Sequence, residues 1–173
     1  NPNTIVTDVG SVKESICTQA NTITKDASFK FIGSHPMAGS EKSGMEHSSV
    51  ELLKQATCII TPNECTDALA LEKVTQFWSQ LEMNPTHMSP EDHDALIAKI
   101  SHLPHIVASA LAASLSDIPD NQFSFAGVGL NDTTRVAGGS PRLWQSIIAE
   151  NSDQILKSID QFEQSLKALK TSL

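Results

Sequence analysis

The chain has 173 residues, 39% apolar and 18% charged, a composition for one ordinary folded domain or two small ones rather than a disordered or fibrous chain. Twelve basic against twenty acidic residues leave a net charge of −8, which argues against a general nucleic-acid backbone binder. No apolar run approaches the roughly 18 residues of a membrane span, and no basic-then-apolar leader opens the chain. The expected setting is therefore the cytoplasm, with no membrane and no nucleic-acid partner.

Ile5 to Val9 reads as a short buried strand, followed by Gly10-Ser11 and a helical pattern at Val12, Ile16, Ala20 and Ile23. Ser11 and Glu14 have capping-box spacing, which predicts a strand-to-helix turn. A second strand is expected at Phe29 to Gly33 and a third at Thr57 to Thr61, stopped by Pro62, with a small-residue loop from Ser34 to Gly44 between them. This order is that of a parallel α/β sheet. Three strands are few for such a sheet, and a chain opening directly on a strand looks like the second half of an α/β domain, so an amino-terminal truncation is expected.

From Asp67 onward the pattern is all helix. Asp67 caps a helix running to about Leu81, Met83 to Met88 is a short extended piece, and Ser89-Pro90-Glu91-Asp92 starts another helix. That helix carries Leu96, Ile100, Leu103, Val107, Leu111 and Leu115, and Pro104 must kink it and free the Ile100 carbonyl. Ser140-Pro141 opens a helix to about Ala149. The last helix shows Ile155, Ile159, Phe162, Leu166, Leu169 and Leu173 as a heptad seam, suited to an intrachain helix or to a second copy. The expected division is residues 1–66, α/β, and 67–173, helical.

Several side chains carry chemistry. Cys17, Cys58 and Cys65 form no Cys-x-x-Cys pair and read as small buried hydrophobes. Ten of the basic residues are lysines, while the two arginines, Arg135 and Arg142, stand close together, either as a small-anion site or as two surface ion pairs. Four of six histidines lie from His87 to His105. His102 and His105 flank Pro104, and with His93-Asp94 they suit either a metal site or imidazoles facing an anionic substrate. His35, locked by Pro36 at the ligand-binding edge of the sheet, suits a general acid or base. Ser11 lies on the same edge, as helix cap, as a direct contact, or both. Trp144 suits a pocket wall or a core position.

Four segments in order resemble the prephenate/arogenate dehydrogenases of tyrosine biosynthesis: Thr7-Asp8-Val9-Gly10-Ser11-Val12-Lys13, His35 to Gly44, Ser101-His102-Leu103-Pro104-His105, and Thr134-Arg135-Val136-Ala137 with Pro141 and Trp144. The resemblance implies part of a Rossmann dinucleotide domain followed by an all-helical dimerisation domain. It implies oxidative decarboxylation of prephenate or arogenate, a small dicarboxylate, with hydride passing to NAD or NADP, in a homodimer. It also implies that His35 accepts the hydrogen bond of the substrate's ring hydroxyl and that Ser11 orients both beside the nicotinamide. Gly10 and Ser11 would touch the cofactor, Arg135 would bind a carboxylate, and His102 and His105 would line the substrate pocket. Glu41, Asp132 and Trp144 would shape or gate it. The family's Gly-x-Gly-x-x-Gly is absent from these residues, so weak dinucleotide binding by them alone is expected. Two other functions fit the residues less fully: a metal-dependent hydrolase using His93, Asp94, His102 and His105, and a non-enzymatic helical dimerisation or regulatory module.

Overall fold

A computed structural model of the chain describes residues 4–25, 27–39 and 44–173, which form two compact units, one up to Leu96 and one from Ile97 on. The first unit is built on a four-stranded sheet in the order β1 (Thr4–Thr7), β2 (Phe29–Pro36), β3 (Thr57–Thr61), β4 (Asn84–His87). Helix α1 (Glu14–Thr24) connects β1 to β2 as a parallel crossover, and β3 and β4 are also parallel, joined through α2 (Ala68–Gln80). The middle pair, β2 and β3, is antiparallel, with His35 opposite Ile59, so the sheet is mixed rather than wholly parallel. A parallel return needs a crossover helix. Among the described residues, the β2–β3 connection holds only two 3-10 turns, Met45–His47 and Val50–Leu52, and the chain reverses direction instead.

Two expectations shift in this unit. The extended piece before Ser89 becomes β4, and β2 continues through Ser34, His35 and Pro36, so His35 is a strand residue rather than a loop residue. The composition change at Asp67 falls inside the first compact unit. Asp67 does cap α2 by accepting the Ala70 amide at 2.9 Å, but Ala70, Val74 and Trp78 of that helix pack with Ile32, Cys58, Ile60 and Met83 in one buried cluster. In α1 the buried positions are Lys13 just before it and Cys17, while Ile16 and Ile23 of the expected stripe are exposed. At Gly33 an added Cβ would lie 2.4 Å from Thr61 Oγ1 and 2.7 Å from Cys17 Sγ, so only glycine lets both side chains close over β2.

Ser89 begins α3 (Pro90–Ile97) as expected, its hydroxyl accepting the Asp92 amide at 3.0 Å. In the second unit the chain passes through one π-helical segment, Ala98–His102, where the Leu103 amide reaches back to the Ala98 carbonyl. Pro104 then sits in the first turn of α4 (Leu103–Ala113), where a missing N–H costs little, so the expected proline kink is a π segment with proline at a helix start. The helices α5 (Val128–Thr134), α6 (Pro141–Glu150) and α7 (Ser152–Ser172) complete this unit, with the 3-10 turn Arg135–Gly138 between α5 and α6. By length and composition alone the helix Pro90–Ala113 could cross a membrane, contrary to the estimate from apolar runs. It buries His93, Asp94, His102 and His105, all hydrogen-bonded within the protein, which suits a core helix.

Candidate active site

The first unit centres its polar groups on the carboxyl ends of β1 and β2. Asp8 follows β1 and organises the turn after it. Its Oδ2 accepts the Gly10 amide at 2.9 Å and pairs with the ammonium of the fully buried Lys13. Its Oδ1 accepts the Ser34 amide at 3.0 Å, tying the turn to β2. The Ser34 hydroxyl bonds Thr7 Oγ1 at 2.8 Å and accepts the Trp78 indole N–H at 3.1 Å. Gly10 is exposed and Ser11 half-buried on this turn. The expected Ser11–Glu14 capping box does not form: α1 starts at Glu14 with Lys13 as its cap residue and no side chain of its own bonding there.

Asp94 does the capping from α3, because a buried carboxylate satisfies two amides of the helix's positive end at once. Its Oδ1 accepts the Lys13 amide at 2.8 Å and its Oδ2 the Glu14 amide at 2.9 Å. Oδ1 also lies 2.7 Å from His93 Nδ1, and His93 Nε2 lies 2.9 Å from His35 Nδ1. Three buried side chains, Asp94, His93 and His35, thus form one hydrogen-bonded row. Burial alone would raise the Asp94 carboxyl. The His93 bond and the two amides outweigh it and hold the group below its ordinary value.

The second unit carries the other candidates. His105 stacks on Trp144 with ring centroids 3.5 Å apart and planes within 5°, and its Nδ1–H donates to the Val136 carbonyl at 2.8 Å. Burial pushes the His105 pKa down against the opposing Val136 bond, which favours the neutral ring with its lone pair on Nε2. His102 is buried, and Asn151 Nδ2 donates to its Nδ1 at 3.2 Å. Arg135 begins the turn that supplies Val136. It is exposed, as is Asp132 on α5, while Trp144 on α6 is half-buried. Glu41 lies outside the described residues.

Among the described residues no group of three His, Cys, Asp or Glu side chains is arranged to hold a metal. His93 spends its ring nitrogens on Asp94 and His35, so the metal-hydrolase alternative gains no support. Read from the sequence, His93-Asp94 suits either a metal site or imidazoles facing an anionic substrate. No spacing connects His35 with His93 and Asp94, and the row they form was not legible before folding.

Comparison with known proteins agrees with this layout. Residues 1–84 match the family model for the prephenate dehydrogenase nucleotide-binding domain, and residues 89–173 match that for the prephenate dehydrogenase dimerization domain. The chain is 35% identical over 171 residues to the prephenate dehydrogenase of Bacillus subtilis, covering 96% of this chain and 46% of that protein. A crystal structure of prephenate dehydrogenase from A. aeolicus with hydroxyphenyl propionate and NAD+ aligns with a TM-score of 0.88 at 38% identity, over 99% of this chain and 60% of that one. Synechocystis arogenate dehydrogenase aligns with a TM-score of 0.83 at 34% identity, over 99% and 62%. The chain thus spans roughly half the length of such relatives. With both domain models matched in order and only residues 85–88 left between them, the chain belongs to the prephenate dehydrogenase family.

Proposed function

We propose that the protein to which these residues belong oxidatively decarboxylates prephenate or arogenate, passing hydride to NAD or NADP, as a cytoplasmic homodimeric enzyme of tyrosine biosynthesis. The observation that carries this reading is His35, a buried imidazole at the carboxyl end of β2 whose Nδ1 is held by a histidine–aspartate pair, in a chain matched by both domains of the family.

The residues present fit one end of a dinucleotide. Gly10 and Ser11 sit at the carboxyl end of a strand in a parallel pair, the edge at which α/β sheets take ligands, with the Gly10 amide fixed by Asp8. No Gly-x-Gly-x-x-Gly stands in the 173 residues, so the pyrophosphate contacts are assigned to none of them. When bound, the nicotinamide supplies the hydride acceptor.

The chain's own residues handle the proton and the carboxylates. As the ring carbon loses hydride, its hydroxyl proton passes to His35 Nε2. The bond to the ring carboxylate breaks, its electron pair enters the ring, and carbon dioxide leaves. The proton then returns to the new phenolic oxygen, so none is gained or lost overall. Ser11 orients the hydroxyl, Arg135 binds a substrate carboxylate, and His102, His105 and Trp144 shape the substrate's surroundings, with Asp132 and Glu41 gating access. Aromatisation drives the decarboxylation, which leaves positioning as the protein's main task.

Incubation of the complete protein with each pairing of prephenate or arogenate and NAD or NADP tests this, read by nicotinamide reduction. At least one pairing should turn over, and His35→Asn should lower kcat by about 10²–10⁴-fold, the usual worth of a general base. No turnover with any pairing, or full activity in the variant, would overturn the assignment.

A further inference from the structure

The Asp94–His93–His35 row has a direction. Asp94 is ionised at neutral pH, held so by His93 and the two amides that begin α1. A carboxylate only accepts hydrogen bonds, so His93 Nδ1 carries its proton. In neutral His93 the Nε2 lone pair then accepts from His35 Nδ1–H, 2.9 Å away. His35 is left with its own lone pair on Nε2, the nitrogen that His93 does not engage.

We propose that His93 and Asp94 are positioning residues for His35, fixing its ring as the tautomer with the lone pair on Nε2 and holding the positive charge created when Nε2 takes the substrate's proton. The proposal rests on the base role given to His35 above. As His35 becomes an imidazolium, its Nδ1–H bond to His93 becomes charge-assisted, and Asp94 stabilises that charge across one intervening ring. The α1 amides keep Asp94 ionised, so it acts as a fixed charge and not as a proton sink. Asp8 beside β1 and Lys13 before α1 neutralise one another, and burial pushes the Cys17 and Cys58 thiols up, Cys58 to about 12, so both stay neutral.

Two substitutions at His93 separate this role from packing. His93→Phe keeps a ring but removes the acceptor for His35, whereas His93→Gln loses the ring and keeps a carbonyl acceptor. In the complete enzyme, His93→Phe should lower kcat by about 10–100-fold with KM little changed, the range seen when a supporting hydrogen-bond partner is lost. The acidic limb of its kcat/KM profile should move to lower pH, because the His35 imidazolium has lost its support. His93→Gln should lie closer to the wild type in both. If His93→Phe matches or exceeds His93→Gln, the role is packing and the proposal is wrong. Nitrogen NMR of the histidine rings in the wild-type protein decides the tautomer without any substrate: a proton on His35 Nδ1 and none on Nε2 supports the row, and the reverse overturns it. That measurement stands even where His93→Phe fails to fold. It also separates this proposal from the dehydrogenase assignment, which fails on absent turnover and not on the ring tautomer.

Discussion

Asp94 caps a helix that begins 80 residues before it, its Oδ2 accepting the Glu14 amide at 2.9 Å. The contact joins α3 to the start of α1 and supplies what Ser11 does not. Asp94→Ala leaves the Lys13 and Glu14 amides and the His93 ring without their buried acceptor, and should lower the unfolding free energy by about 2–4 kcal/mol in urea titrations. The folded-state pKa of Asp94 lies below its ordinary 3.8. Its contribution to stability is therefore complete above about pH 4, and is lost as pH falls through the lower folded value. Asp94→Ala should flatten the acid side of the stability curve, and an unchanged acid limb would remove Asp94 from that role.

Two local cap signals held, at Ser89 and Asp67, while a third, the Ser11–Glu14 capping box, did not form. Ser89 and Asp67 both cap the helices that their spacing predicted, because a cap depends on residues within one turn. Long-range choices were not legible. Among the described residues the β2–β3 connection holds no crossover helix, which fits the antiparallel pairing. The apolar stripe of α1 pointed to Ile16 and Ile23, whereas the helix buries Cys17 beside a paired lysine. His35 was identifiable by its place at the carboxyl end of a strand, but its partner His93 was not, since only folding sets a hydrogen bond across 58 positions.

Gly139 holds Trp144 against His105. An added Cβ there would fall 2.5 Å from Trp144 Nε1, so Gly139→Ala must displace the indole from its stack. With burial reduced, the lowered His105 pKa should rise toward its ordinary 6.5. Proton NMR titration of the His105 ring reads this directly, and an unshifted titration with intact Trp144 fluorescence would show that the site absorbs the methyl group.

The three thiols should differ in reactivity. Cys65 is exposed, while Cys17 and Cys58 are buried, with Cys58 pushed up to about 12 by burial and by the nearby Asp8 charge. A thiol reagent at neutral pH should modify Cys65 quickly and the other two only in denaturant. Rapid labelling of all three in the native protein would contradict the burial of Cys17 in α1 and Cys58 in β3.

The seam of α7 is buried at one end and bare at the other: Ile155 is 2% exposed, whereas Leu166 and Leu169 are 48% and 59% exposed. A second copy covering the bare half suits the matched dimerization domain. Leu166→Glu with Leu169→Glu should then shift the complete protein from dimer to monomer by light scattering at micromolar concentration, with unchanged circular dichroism. A monomeric wild type, or a variant that stays dimeric, would place the contact elsewhere.

Arg135 opens the turn whose Val136 carbonyl fixes His105, so its backbone is set by the same contacts that orient that ring. A guanidinium held there can form two parallel bonds to a carboxylate, which lysine cannot reproduce. In the complete enzyme, Arg135→Ala should lower kcat/KM by about 30–1,000-fold, equivalent to about 2–4 kcal/mol of lost binding to the charged transition state. Arg135→Lys should recover only part of this, because the charge returns without the fork. Arg142→Ala, in the first turn of α6 and exposed, serves as the control and should stay within about twofold of the wild type, as surface charges away from the chemistry do. Equal losses at both arginines would mean a general field effect, and no loss at Arg135 would remove it from substrate binding.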